Sequence, residues 1–146
     1  MQMTVPNEIL FDQVCGLLDE GREVLFRPKG NSMLPFIKEG HDSVRLRKEG
    51  WDVGDAVLAK LPNSQYVLHR VYMINGNRVT LRGDGNLAGT ETCRKEDVKG
   101  KVISVVHRSG RESLTCKSSY NFKVRLWLHT PRIVKRVILA ILRRCI

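Results

Sequence analysis

Tyr66-Val67-Leu68-His69-Arg70-Val71, then Asn75-Gly76-Asn77, then Arg78-Val79-Thr80-Leu81, is the passage that decides the fold. Two runs rich in β-branched residues flank an Asn-Gly pair, the strongest short-range hairpin cue in the chain. Outward from this hairpin, further short runs read as strands: Val24–Phe26, Ser43–Leu46, Ala56–Ala59 and Val102–Val106. Gly83-Asp84-Gly85-Asn86 and Ser109-Gly110 mark turns between them. Ahead of the strands, Glu8, Ile9, Leu10, Val14, Leu17 and Leu18 recur at helical spacing, with Asn7 placed to cap the start and Gly21 to end the helix. The expectation is a mainly β domain over 1–112 that includes this N-terminal helix, followed by a basic helical tail over 113–146. A chain of 146 residues is long enough for a single core.

Three side chains in this pattern carry chemistry. Ser32 sits in the turn Lys29-Gly30-Asn31-Ser32, His69 in the apolar run of the first hairpin strand, and Asp84 in a Gly/Asn-rich turn. A serine hydroxyl becomes a useful nucleophile when a base takes its proton. Histidine titrates near neutrality and can take that proton and return it to a leaving amine. A carboxylate on the other ring nitrogen fixes the tautomer and stabilises the imidazolium. Backbone N–H groups in a turn can hold the oxyanion, and Asn31 and Ser32 are the candidate donors. Each residue taken alone is an ordinary turn or strand residue. The set as a whole points to nucleophilic hydrolysis.

Order and context sharpen this. Gly30-Asn31-Ser32-Met33-Leu34-Pro35 resembles the Ser-Met-x-Pro nucleophile box of the type I signal peptidases and the related LexA-type self-cleaving repressors. Ile37–Val44 is similar to the Gly-Asp-x-Val stretch that follows it, with His41 inserted before Asp42. Val53–Leu58, Tyr66–Val71, Leu81–Asn86 and Asp97–Val102 resemble the later boxes in the same order. The resemblance spans about Val24 to Val106. It implies the β-rich signal peptidase/LexA-like catalytic core, with Ser32 as nucleophile, His69 as base and Asp84 as supporting acid. His69 stands where bacterial members usually carry lysine, which is the pattern of the endoplasmic-reticulum and archaeal type. Those relatives have a second acid soon after the Gly-Asp-x-Asn box. Glu91 is the carboxylate nearest that position here, displaced from the usual place, so Asp84 is the first choice. The resemblance implies a serine endopeptidase acting on a peptide or protein precursor at small apolar residues. The alternative is a non-catalytic or self-cleaving regulatory module on the same fold.

The rest of the composition fits a folded hydrolase without cofactor or metal. Lys60 alternates with apolar neighbours and is expected to face solvent, which ranks it below His69 as a base. Cys15, Cys93, Cys116 and Cys145 are widely and irregularly spaced, so free thiols are expected, with Cys15 in the core. The N-terminal residues lack the pattern of a leader, and no apolar run is long enough to span a bilayer. The expected location is therefore the cytoplasm, with the tail able to sit at the inner membrane face.

That tail holds most of the charge. The formal net charge is +10, and residues 113–146 contribute eight Lys or Arg and no acid. Thr130-Pro131 is a good helix start, and Ile133, Val134, Val137, Ile138, Ile141, Leu142 and Cys145 then form an apolar stripe. Residues 119–129 are ambiguous between strand and helix. Three roles stay open for the tail: contact with an anionic membrane surface, packing on the chain's own core, and nucleic-acid binding, the last being the least favoured. Trp127, a residue type common at membrane interfaces, favours the first.

Overall fold

A computed structural model describes the backbone of residues 7–144 and the side chains of 10–144. Cys145 lies outside these residues, as do the side chains of Glu8 and Ile9. Helix α1 (Asn7–Asp19) precedes strands β1 (Val24–Phe26), β2 (Asp42–Arg47), β3 (Ala56–Lys60), β4 (Tyr66–Asn75), β5 (Arg78–Arg82), β6 (Glu91–Arg94), β7 (Val98–His107) and β8 (Glu112–Leu114). Helices α2 (Ser118–Leu128) and α3 (Arg132–Arg144) follow. The eight strands form one antiparallel sheet, ordered β1-β2-β7-β3-β4-β5-β6 with β8 beside β7. The expected hairpin is present: Asn75 pairs with Arg78 across Gly76-Asn77, and Gly76 has φ 60°. Helix α1 ends as Gly21 predicts, in a Schellman motif: Gly21 N–H donates to the Leu18 carbonyl and Arg22 N–H to that of Leu17.

β7 organises the sheet. One edge pairs with β2, while the other pairs first with β3 and then with β8. β3 is buried on both faces, so its alternate residues feed two cores. Ala56 and Leu58 join Val14 and Leu18 of α1, Met33, Val44, Leu46, Val102 and Val105. Val57 and Ala59 join Val71, Val79, Leu81 and Cys93. A third cluster, Leu34, Trp127 and Leu139, ties α2 and α3 to the segment that carries Ser32. The expected break between 112 and 113 falls inside β8, and the tail packs on the domain rather than standing apart. Residues 118–128, ambiguous in sequence, are helical because Tyr120, Val124 and Trp127 turn one face inward.

Candidate active site

Ser32 lies in the irregular turn that joins β1 to β2. Gly30 has φ 82°, which glycine adopts without strain. The loop between β5 and β6 nests against this turn. Gly85 N–H donates to the Ser32 carbonyl at 2.8 Å. A Cβ on Gly83 would collide with that same carbonyl and come within 3.2 Å of His69 Cδ2. A Cβ on Gly85 would lie 2.8 Å from the Asn31 carbonyl. The two glycines are therefore what lets the loop pack on the Ser32 turn. Gly83 also brings the Ser32 carbonyl and the His69 ring close together over one position that has no side chain. The side chain of Asn31 accepts from Glu39 N–H at 3.2 Å, which closes the turn from within. Among the described residues, neither the Asn31 nor the Ser32 N–H donates to a protein acceptor, so both candidate oxyanion donors are free.

Ser32 and His69 line one cleft of about 220 Å³. Phe11, Phe26, Met33, Leu58 and Leu68 give it apolar walls. His69 Nδ1 is 3.0 Å from Glu91 Oε2. A carboxylate only accepts, so Nδ1 carries the proton and Nε2 is left as the acceptor. No hydrogen bond joins Ser32 Oγ to His69 as the structure stands, an arrangement common in unliganded hydrolases. Lys60 is not in the cleft; its ammonium lies 5.6 Å from the centre of the Tyr66 ring.

The acid expected beside His69, Asp84, is elsewhere. Its two oxygens take the Arg70 guanidinium in a forked pair, at 2.8 and 2.6 Å. Strand parity is the reason. Successive residues of β4 point to opposite faces, so Arg70 draws Asp84 to the face that His69 does not use. On His69's own face, Val71 pairs with Leu81 and Leu81 with Glu91, which delivers Glu91 two strands across. The Arg70–Asp84 pair is closed from water, with side chains 2% and 0% exposed. Burial alone would lower the Arg70 pKa, but the Asp84 carboxylate outweighs it and the guanidinium stays charged. Trp127 Nε1–H donates to the Asp84 carbonyl at 2.8 Å and Arg143 reaches that of Gly85 at 3.4 Å. Trp127 is thus a buried brace for the loop, not a membrane-interface residue.

A second Ser-His-Asp chain lies elsewhere, one that the sequence did not suggest. Ser113 Oγ is 2.9 Å from His107 Nε2, and His107 Nδ1 is 3.0 Å from Asp42 Oδ1. Asp42 also accepts from Lys38 N–H at 2.8 Å. This chain crosses from β8 over β7 to the start of β2. Ser113 stands in the middle of a strand, without the glycine turn that gives Ser32 its free amides. Its partners explain it as an anchor that fixes the end of the Ser32 segment to the sheet.

Cys15 and Cys116 are unpaired, as is the buried Cys93, whose thiol burial pushes up to about 11. Cys15 is only half-buried, at the margin of the core rather than within it. Among the described residues no cluster of His, Cys, Asp or Glu has the form of a metal site, and no helix is long and apolar enough to cross a membrane. A scan against protein-family models finds no match, and a search of curated proteins finds none.

Proposed function

We propose that this chain is a serine endopeptidase of the signal peptidase/LexA-like type, with Ser32 as nucleophile, His69 as general base and Glu91 as the acid that orients it. The observation that carries this is that Ser32 and His69 line one cleft while Glu91 contacts the His69 Nδ1. The proton on Nδ1 leaves Nε2 to accept the Ser32 hydroxyl proton as Oγ attacks the substrate carbonyl carbon. The resulting oxyanion is within the reach of turn amides such as those of Asn31 and Ser32. Collapse breaks the C–N bond, and His69 gives its proton to the leaving amine. Water then repeats the sequence on the acyl-enzyme. A cleft of about 220 Å³ suits small apolar side chains, as the resemblance implies. The supporting role first assigned to Asp84 passes to Glu91, and Asp84 becomes a positioning residue that holds its loop through Arg70.

The test is cleavage of a mixed peptide library, read by mass spectrometry. Wild type should cleave after small residues, and Ser32→Ala and His69→Ala should each abolish cleavage with the fold intact. The hydrogen-bonded Ser113 chain supports a second reading, in which Ser113 is the nucleophile. Loss of cleavage in Ser113→Ala but not in Ser32→Ala would establish that reading. An inactive wild type would leave the non-catalytic module as the account of the fold.

A further inference from the structure

We propose that α3 is a membrane-contact helix that seats the domain on an anionic lipid bilayer. The helix has three faces rather than two. Its inner face carries buried Leu139 and half-buried Ile138, against Leu34 and Trp127. At 3.6 residues per turn, Ile133, Val134, Val137 and Ile141 fall in a separate arc of about 100° on the side away from Leu139, an arc that Arg144 shares only at the last residue of the helix. These four are 45–76% exposed. Between the two apolar faces lie Arg132, Arg136 and Arg143, within an arc of about 40°. On α2, Phe122 and Leu126 form an exposed pair at i, i+4, 66% and 61% exposed, flanked by Lys123 and Arg125.

Self-packing of the tail therefore accounts for one face and leaves the other bare. A solvated basic helix has no use for four exposed β-branched side chains in one stripe. An interfacial helix does: its apolar face enters the acyl boundary and its cations meet the headgroups. The charge matches an anionic surface and little else. Among the described residues no lysine or arginine of α2 or α3 forms a salt bridge, and residues 113–146 contain no acid. A second copy would bring eight cations of one tail against eight of another. A nucleic acid would meet the cations but leave the apolar stripe in water. This surface stands independently of the role given to Ser32.

The test is co-sedimentation of the full chain with vesicles of phosphatidylglycerol and phosphatidylcholine in equal parts, and of phosphatidylcholine alone. Deleting the tail is unsuitable, because it would bare Leu34. Surface variants serve instead, with near-native thermal transitions as their control. Binding is expected to the anionic vesicles, much weaker binding to the neutral ones, and loss at high salt. Arg132→Gln with Arg136→Gln should weaken binding about thirty-fold, from about five-fold per charge. Val137→Asp with Ile141→Asp should weaken it about ten-fold or more. Equal binding to both vesicle types, no binding, or unchanged binding by folded variants would overturn the proposal. So would a lipid-free dimer abolished by Val137→Asp, or binding to duplex DNA that exceeds vesicle binding and ignores the apolar variants.

Discussion

Glu91→Gln and Asp84→Asn make the sharpest pair of perturbations, because the two carboxylates are expected to fail in opposite ways. Glu91 is 32% exposed and touches the edge of the sheet. Replacing it with the neutral amide leaves packing alone and removes the charge that stabilises a protonated His69. A hydrogen bond to a charged group contributes about 1.5–3 kcal/mol. With partial solvent screening, the lower part of that range applies, or roughly a ten- to thirty-fold loss in kcat/KM. The melting temperature should barely move. Asp84→Asn acts on a pair that is shut away from water, so the Arg70 charge stays buried without its counter-ion. Breaking such a pair costs about 3–5 kcal/mol, a fall in Tm on the order of 10 °C or more for a domain of this size. Peptide cleavage and differential scanning calorimetry on the two variants separate the roles. A Glu91→Gln protein with the wild-type kcat/KM, or an Asp84→Asn protein as stable as wild type, would refute the assignment.

Gly83→Ala should be far more harmful than Gly100→Ala. The first Cβ meets backbone at the Ser32 carbonyl, the second the flexible end of Leu18, 2.9 Å away. The Gly83 variant should lose cleavage activity, while the Gly100 variant should lose about 1 kcal/mol in urea titration and stay active. Leu139→Ala should cost about 2–5 kcal/mol, since the side chain is buried between Leu34 and Trp127; an unchanged midpoint would mean that α3 is not docked. At pH 8 iodoacetamide should modify exposed Cys116 long before Cys93, whose thiol is buried and pushed up to about 11. Raising the pH toward that value should narrow the gap, and comparable rates at pH 8 would show Cys93 to be accessible.

How much of this was legible depended on whether the signal was local. The hairpin at Gly76, the end of α1 at Gly21 and six of the eight strand cores are set by neighbours in sequence, and they are readable from it. Strands β6 and β8 were not read. Glu91-Thr92-Cys93-Arg94 has charged ends and only a short middle, and Glu112–Leu114 is three residues long. Both are strands because a longer strand lies beside them. Without β6, the resemblance alone points to Glu91 and ranks it below Asp84. Without the register that sets Leu81 opposite Glu91, nothing in the sequence puts residue 91 on the face of residue 69. Asp84 was the natural choice because it sits beside glycines, but Arg70 takes it. Trp127 is ambiguous for a related reason: an aromatic in a basic segment suits an interface or a core, and only the partner at Asp84 decides between them.

The tail and the candidate site are one mechanical unit, although they are far apart in sequence. Trp127 on α2 and Arg143 on α3 hold the carbonyls of Asp84 and Gly85. Gly85 in turn holds the Ser32 carbonyl, and Leu34, two residues beyond Ser32, is packed against Trp127 and Leu139. The Ser32 turn has no regular secondary structure of its own, so its shape is set by these contacts rather than by a backbone ladder. Arg70 completes the support from the sheet, because its charge pins Asp84 from the other side of the same loop. These long-range contacts thus hold a turn of a few residues between the sheet and the helices. Such support is what the proposed nucleophile at Ser32 would need if its turn amides are to hold an oxyanion, and it accounts for a helical tail packed on a β domain through Leu34.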